Sequence, residues 1–422
     1  MWYFRISEPY YGYGPLFSFP LILLAFILGS SPFGADTWAD TTVTPSVGLS
    51  QRYDSNVFYA PPEFIPAGRQ AWDLVTTASS TVEVLNRSRV GDSILRAGLS
   101  GSVFAYNTDL AFVSTNIFAS SDVSAWLNER IRGFRLRLYD SFQYTPESPA
   151  FLTGGKLAET SDIFSRGIQG ARANTFRNTF AAQSFYSLAR SVGVRADYSF
   201  SIYRVGQILF TTAPGVPVAF FDTTFHSVAA GPAYTFAGGD TLFLKYAYGR
   251  ANQSGEGLNF SYATHTLAPE YVSKALPGWT MTIGGGVTRL EQEGSSIFFS
   301  GRFLLATNLD RRTRVQISLS REAAPAIYGS AGALISNVAQ FSISHGLAKL
   351  LRLTVTANYA YNETTPVDTF TFNSIAGSAI LEYKLTRQVS LLLSQSYNRY
   401  DYTDFPTLER YATMGTLNIS WK

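Results

Sequence analysis

Cysteine is absent from the 422-residue sequence, and charged residues are scarce, at 15% of the total. The lack of cysteine excludes disulfide bonds, thiol catalysis and a lipid-modified N-terminal cysteine, and it suits export through an oxidising periplasm. The low charge is unusual, because soluble domains carry about 25% charged residues. The formal net charge of +3 is too small to indicate a nucleic-acid partner.

Long apolar runs are missing after the N-terminal segment. Residues 16–28 form one run of signal-peptide length, Arg5 precedes it, and residues 37–39 (Thr-Trp-Ala) place small residues at cleavage-specifying positions. We therefore predict that residues 1–39 are a signal peptide, with Ala35 as an alternative last residue and an uncleaved anchor as the alternative interpretation. No later run reaches about 18 apolar residues, so the sequence predicts no further membrane helix.

Apolar residues are nevertheless abundant, at 46% of the sequence, and aromatic residues make up 15%. β-Branched and aromatic residues favour strands. Segments in which apolar and polar residues alternate recur along the chain, for example at residues 314–320, 351–362 and 389–398. Successive side chains of a strand point to opposite faces, so each segment has one apolar and one polar face.

The connections between these segments also alternate in length. Short connections such as 308–313 and 385–388 alternate with mostly longer ones such as 54–70 and 146–175. Membrane barrels have short periplasmic turns and longer external loops. The sequence therefore predicts an all-β protein in which residues 40–422 form a transmembrane antiparallel up-and-down β-barrel. We expect about 18 strands, or about 16 as a fallback, with both termini in the periplasm. A secreted β-solenoid or sandwich is the alternative.

Face assignments follow from the alternation. The residues predicted to face lipid include Val315, Ile317, Leu319, Leu351, Leu353, Val355, Val389, Leu391, Leu393, Leu417 and Ile419. Tyr397, Tyr400 and Tyr402 are predicted to join an aromatic girdle at the membrane interface.

Basic residues dominate the predicted inward face. The candidate pore-lining residues are Arg135, Arg137, Arg195, Lys245, Arg302, Arg314 and Arg352. Inward acidic residues are fewer, so a narrow lumen would carry a positive potential that favours anions. The alternative is that these arginines pair with acidic residues and only support the wall.

Catalytic and cofactor motifs are weak. His226, His265 and His345 lie in or beside predicted strands and belong to no recognisable catalytic motif. Residues 284–286 (Gly-Gly-Gly) lie within a strand, so they predict a bulge or a bulky neighbour leaning over the wall, and not a phosphate-binding loop. We expect no enzyme activity, no metal and no cofactor. The 146–175 connection could constrict the pore, lie over it as a lid, or be a mobile surface loop.

Two segments resemble known outer-membrane proteins. Residues 43–58, VTPSVGLSQRYDSNVF, resemble the first strand of a family of bacterial outer-membrane β-barrel porins that are often linked to exopolysaccharide export systems. The last strand carries the aromatic Trp421 and is similar to the assembly signal of bacterial outer-membrane proteins, although Lys422 follows it. The resemblance implies a barrel in the outer membrane of a Gram-negative bacterium, in contact with outer-membrane lipid and lipopolysaccharide.

Three functions stay open at this point. The family resemblance implies a conduit that exports an acidic exopolysaccharide with a periplasmic export partner. The alternative is a passive diffusion porin for small, preferentially anionic solutes. A surface structural or adhesion barrel with a filled lumen is the third. The sequence does not separate the first two.

Overall fold

The computed structural model describes residues 40–65, 67–88, 91–147, 172–209, 220–255, 258–274, 278–292, 294–327, 332–365, 371–402 and 406–421. The predicted signal peptide, residues 1–39, lies outside this range. In the described residues, no helix is both long enough and apolar enough to cross a membrane.

Eighteen strands and one short α-helix account for most of these residues. The strands are β1 (Asp40–Asp54), β2 (Asp73–Ser88), β3 (Gly91–Phe104), β4 (Phe112–Asp122), β5 (Phe134–Thr145), β6 (Ala173–Ser187), β7 (Val192–Ile208), β8 (Asp222–Thr235), β9 (Thr241–Gly255), β10 (Leu258–Ser273), β11 (Trp279–Glu291), β12 (Ser295–Asn308), β13 (Thr313–Pro325), β14 (Ala333–Gly346), β15 (Leu351–Thr365), β16 (Thr371–Lys384), β17 (Val389–Tyr402) and β18 (Leu408–Ser420). The helix is α1 (Ser124–Arg130), and the 3-10 turns are Pro62–Phe64 and Thr108–Leu110.

The sheet closes on itself. Each strand pairs antiparallel with the next one along the chain, and β1 also pairs antiparallel with β18, from Ser46 opposite Ser420 to Asp54 opposite Ala412. The predicted antiparallel barrel of 18 strands is therefore confirmed. The even strand number puts the start of β1 and the end of β18 at the same end of the barrel.

The two ends of the barrel differ. We call the end that holds both termini the turn end; its connections include 309–312, 347–350 and 385–388. The opposite end, the loop end, carries the longer connections, among them 55–72 and 146–172. The predicted alternation of short and mostly longer connections is present around most of the barrel, but the loop-end connections between β9 and β10 (256–257) and between β11 and β12 (292–294) are also short.

The register separates an outer face from an inner face. Leu49, Leu417 and Leu391 lie opposite one another across three strands, and all three are exposed. On the other face, Arg195 of β7 approaches Glu270 of β10 to 3.6 Å, although β7 and β10 are not neighbours. Only the concave side of a barrel brings such strands together, so this side is the lumen. All the residues predicted to face lipid lie on the outer face.

One part of the predicted girdle is wrong. Tyr397 lies on the outer face beside Tyr411, with ring centroids 4.8 Å apart. Tyr400 lies opposite Ser374, on the inner face, and Tyr402 lies opposite Phe372 on that same face. The reason is the two-residue period of a strand, which sends positions 400 and 402 to the side of the inward serines of β17.

The glycine triplet in β11 continues a regular ladder, with Gly284 opposite Arg302 and Gly286 opposite Ser300. A Cβ atom at Gly285 would lie 3.0 Å from the Phe299 ring. The second of the two predictions is therefore correct: the triplet makes room for a bulky neighbour and no bulge forms there.

Candidate functional site

The candidate pore-lining residues occupy inward register positions. These are Arg135 and Arg137 of β5, Arg195 of β7, Lys245 of β9, Arg302 of β12, Arg314 of β13 and Arg352 of β15. Arg135, Arg314 and Arg352 stand near the start of strands that leave the turn end. The basic residues are therefore concentrated in the turn-end half of the lumen.

Acidic partners neutralise some of these charges. Arg137 Nε donates to Asp122 Oδ2 at 2.8 Å, and the Arg195 guanidinium lies 2.8 Å from the Asp197 carboxylate. Lys245 Nζ lies 4.0 Å from Glu270. Arg137, Arg195 and Lys245 therefore fit the alternative interpretation, in which basic residues pair with acidic residues and support the wall.

The remaining arginines keep their charge available to the lumen. Arg302, Arg314 and Arg352 are exposed and form no ion pair among the described residues, although Arg352 faces Glu382 in the register. Arg135 is also exposed, and its guanidinium lies over the Phe185 ring at 4.4 Å. These four arginines give the turn-end half of the lumen an excess of positive charge that faces water.

The loop end is built differently, because part of the β1–β2 connection turns into the barrel. Residues 57–60 of this connection are completely buried, and we call residues 56–60 the inward segment. Asn56 Nδ2 donates to the Ala60 carbonyl at 2.8 Å and to the Glu409 carbonyl at 3.3 Å. Tyr59 has a backbone φ of +57°. Residues other than glycine rarely adopt this left-handed conformation, and they keep it where surrounding contacts hold it.

The inward segment packs on the wall through apolar side chains. Val57, Phe58 and Ala60 form a buried cluster with Val75 of β2, Phe104 of β3 and Leu110. Phe112 of β4 and Leu209, the residue that follows β7, pack against the same cluster. The segment therefore connects the wall at β2–β4 with the wall at β7.

Five charged residues surround Tyr59, and we call them the ionic cluster: Arg52, Asp54, Glu147, Arg172 and Arg410. Arg52 Nη2 and Arg172 Nη2 donate to Glu147 Oε1 at 3.0 Å and 2.9 Å, and the Tyr59 hydroxyl donates to Glu147 Oε2. Arg410 binds Asp54 through Nε at 2.9 Å and through Nη2 at 2.5 Å. Buried charges are tolerated because each one has an opposite partner and hydrogen bonds.

Arg172 holds the inward segment in place. Its side chain is fully buried, and Nη1 donates to the Val57 carbonyl at 2.9 Å. The guanidinium also lies over the rings of Tyr59, at 5.2 Å, and of Phe104 and Phe112, at 4.9 Å each. Cation–π contacts of this kind are strongest where water is excluded.

Electrostatics keep Glu147 ionised. Burial alone raises the pKa of a carboxyl, but the Arg52, Arg172 and Arg410 guanidiniums outweigh it and hold the pKa of Glu147 well below its ordinary value. Burial also raises the pKa of Tyr59, which stays a neutral donor. Three guanidiniums face two carboxylates, and Arg172 Nε is buried without a hydrogen-bond partner among the described residues.

A second inward contact comes from the β13–β14 connection. Ile327 is fully buried against Tyr203 of β7, and its carbonyl accepts a hydrogen bond from Phe221 N at 3.1 Å. Ala326 packs with Tyr400 of β17 and Leu408 of β18. The two residues thus reach from the β7–β8 side of the barrel to the β17–β18 side. Together with the inward segment, they place buried side chains across the loop-end lumen.

The 146–175 connection is described only at its ends, and residues 148–171 lie outside the described residues. Its predicted role as a lid or constriction is therefore not tested over most of its length. Glu147 and Arg172 are its described charged residues, and both belong to the ionic cluster. The sequence places both in the predicted 146–175 connection, but it does not predict that they meet Arg52 and Arg410.

The histidines form no catalytic arrangement in the described part of the chain. His226 packs on Phe200 with ring centroids 4.5 Å apart, and His265 lies 5.2 Å from Tyr248, both on the outer face. His345 Nδ1 shares a hydrogen bond with the Thr313 hydroxyl at 2.8 Å. Among the described residues, no group of three or more His, Asp or Glu side chains could hold a metal ion.

Comparisons with known proteins give only distant likenesses. No protein-family model matches the chain, and no curated protein matches it. Among solved structures, the chain is similar to OccK2 (OpdF) of Pseudomonas aeruginosa, with 10% identity, coverage of 91% of this chain and 98% of that one, and a TM-score of 0.43. The same protein in complex with glucuronate gives 11% identity, 91% and 99% coverage, and a TM-score of 0.43. The siderophore receptor PirA of Pseudomonas aeruginosa gives 11% identity, 90% and 80% coverage, and a TM-score of 0.41.

Proposed function

We propose that the protein is a passive diffusion porin of the bacterial outer membrane that admits small, preferentially anionic solutes. The observation that carries this proposal is the set of exposed inward arginines that form no ion pair with any described residue, Arg302, Arg314 and Arg352. Arginine stays charged at every physiological pH, and its planar fork matches carboxylates and phosphates. Charges that line a narrow lumen select permeating ions by their sign.

The outer surface supports the membrane location. A closed barrel leaves no unpaired strand edge, and a band of exposed apolar side chains surrounds this one. Such a surface suits hydrocarbon and would be unfavourable in water. Residues 1–39 would direct export. The loop end would face outward and both termini would lie in the periplasm, because the longer loops of outer-membrane barrels are external.

The loop end supports a small solute over a polymer. The inward segment and the Ala326–Ile327 contact put fully buried side chains across the lumen. A polysaccharide would require all of them to move aside, whereas a small anion requires only a local opening. No feature of the described residues favours export of an acidic exopolysaccharide, or a periplasmic export partner, over this simpler function.

Planar-bilayer recordings in unequal salt test the proposal. The purified protein should form channels whose reversal potential shows anion preference. Vesicles containing the protein should admit glucuronate faster than glucosamine and should retain a fluorescent dextran. A cation preference would contradict the anionic selectivity. Release of dextran would favour a polymer conduit, and a protein that folds but never conducts would favour a structural barrel.

A further inference from the structure

On the outer surface of β7–β10, the side chains change from apolar to polar between the middle of the barrel and the loop end. Val228, Leu244 and Leu267 are exposed apolar side chains at the start of this path. Next come two tyrosine–histidine pairs, in which Tyr198 and Tyr246 hydroxyls contact the Nδ1 atoms of His226 and His265 at 3.2 Å and 2.8 Å. Amphipathic rings mark the depth at which hydrocarbon meets headgroups.

A polar cavity of about 430 Å³ lies directly beyond these rings. Its lining includes Arg204, Asp222, Thr224, Asn252, Asn259 and Ser261. These six residues share the outer face, because Thr224 lies opposite Asn252, and Asn252 lies opposite Ser261. Amide and hydroxyl groups at this depth are the groups that hydrogen-bond sugar hydroxyls.

A positive charge lies beside the cavity on β9, where Arg250 precedes the lining residue Asn252 by two positions. Arg250 is exposed, lies opposite His226 in the register, and forms no ion pair within the described ranges. Arg204 approaches Asp222 only to 3.8 Å. By contrast, the outward Arg399 of β17 is held by Asp401 at 2.9 Å and by Glu409 at 3.1 Å. The surface of β7–β10 therefore has a guanidinium available for an external anion.

We propose that this surface binds the phosphorylated sugar headgroup of an outer-leaflet glycolipid. A phosphate would lie on Arg250, because guanidinium groups bind phosphate oxygens through paired charge-assisted hydrogen bonds. The sugar would enter the cavity, and the acyl chains would cover Val228, Leu244 and Leu267. The proposal rests on the outward orientation of the loop end given under Proposed function. It does not depend on conduction through the lumen.

Native mass spectrometry of the refolded full-length protein tests the site. Bisphosphorylated lipid A is the probe, and dephosphorylated lipid A and phosphatidylglycerol are the comparison lipids. The wild-type protein should bind lipid A more tightly than either. Arg250→Gln should weaken binding of lipid A by roughly tenfold, the usual effect of losing one charge-assisted hydrogen-bonding group.

Arg321→Gln is the matched control. Arg321 is also an outward arginine near the loop end, but it is already bound to Asn337 at 2.7 Å and lies on β13, away from the cavity. Its substitution should leave lipid A binding unchanged. Heat-modifiable gel mobility verifies that both variants are folded. Equal affinity for phosphatidylglycerol, an unchanged affinity in Arg250→Gln, or an equal loss in Arg321→Gln would overturn the site. Channel recordings of the same samples report separately on the porin function.

Discussion

Arg172 and Glu147 stand at the two described ends of the β5–β6 connection, and Arg172 Nη2 donates to Glu147 Oε1 at 2.9 Å. The pair closes the base of this connection. Because Glu147 also accepts hydrogen bonds from Arg52 of β1 and from Tyr59, it ties the connection to the inward segment. One carboxylate thus holds two loops of the loop end together.

Replacing Glu147 by Gln should open the loop end. The change leaves Arg52, Arg172 and Arg410 facing one another with one carboxylate fewer, and breaking a buried ion pair from one side costs about 3–5 kcal/mol. Single-channel recordings should show a larger conductance or longer openings than in the wild type.

Glu83→Gln is the control for this prediction. It removes the same charge from a partly exposed pair with Arg96, and exposed pairs contribute about 0–1 kcal/mol. The control should conduct like the wild type. If Glu147→Gln and Glu83→Gln behave alike, the ionic cluster does not restrict the lumen.

The contacts of Glu147 at the loop end should stay intact as pH falls, down to the pH at which carboxyl groups ordinarily titrate. The three guanidiniums outweigh burial and lower the pKa of Glu147 in the folded protein. The stability that ionised Glu147 contributes is therefore fully present above the pKa of a glutamate in the unfolded chain, about 4.3, and it is lost progressively as pH falls from there toward the folded pKa. Conductance should therefore stay constant from about pH 8 to about pH 5 and rise only at lower pH. Glu147→Gln should lack the acid-induced rise, and a rise near neutral pH would assign the gating to another group.

Anion preference should depend on the arginines without ion pairs. Arg314→Gln combined with Arg352→Gln removes two inward charges and should shift the reversal potential in a salt gradient toward that of a non-selective pore. Arg289→Gln removes an outward charge that is paired with Glu291 at 3.1 Å, and it should leave the reversal potential unchanged. An unchanged potential in the double variant would mean that the lumen charge is set elsewhere.

A charged substitution on the outer face should impair folding of the barrel, whereas one at the adjacent inner-face position should not. Leu353 lies on the outer face opposite Leu381, whereas the Thr354 hydroxyl donates to Ser344 Oγ inside the lumen at 3.1 Å. An arginine on the lipid side of a barrel is unfavourable, by roughly 2–4 kcal/mol at the membrane midplane and by less toward either interface. Leu353→Arg should lower the folded fraction measured by heat-modifiable mobility, and Thr354→Arg should not. Similar losses in both variants would contradict the assignment of faces.

The alternation of side chains predicts the barrel because it is a local property. Residues 314–320 and 351–362 show their two faces without reference to any other strand, and short turns fix which strands are neighbours. The same rule fails at the end of β1. Val57 and Phe58 continue the apolar character of that strand, yet they turn into the lumen, because their partners Phe104 and Leu110 are distant in sequence.

The ionic cluster could not be predicted from the sequence for the same reason, because its members are distant along the chain. Glu147 and Arg172 lie in a long connection, and Arg52 and Arg410 lie on strands at opposite ends of the chain. Nothing local distinguishes Arg52, which contacts Glu147, from Arg314, which faces water in the lumen. Only the closed circle of strands brings the members of the cluster together.

The pairing of β1 with β18 also sets an order of events. The hydrogen-bonded ion pair between Asp54 and Arg410 joins residues 356 positions apart and crosses the seam at which the first strand meets the last. Asn56 crosses the same seam to the Glu409 carbonyl. While the sheet still has two free edges, neither contact exists, and the inward segment has no anchor on β18. In a growing barrel the inward segment can already pack against β2–β4, but it gains its anchor on β18 only when the last strand docks, so the ionic cluster is complete only in the closed barrel.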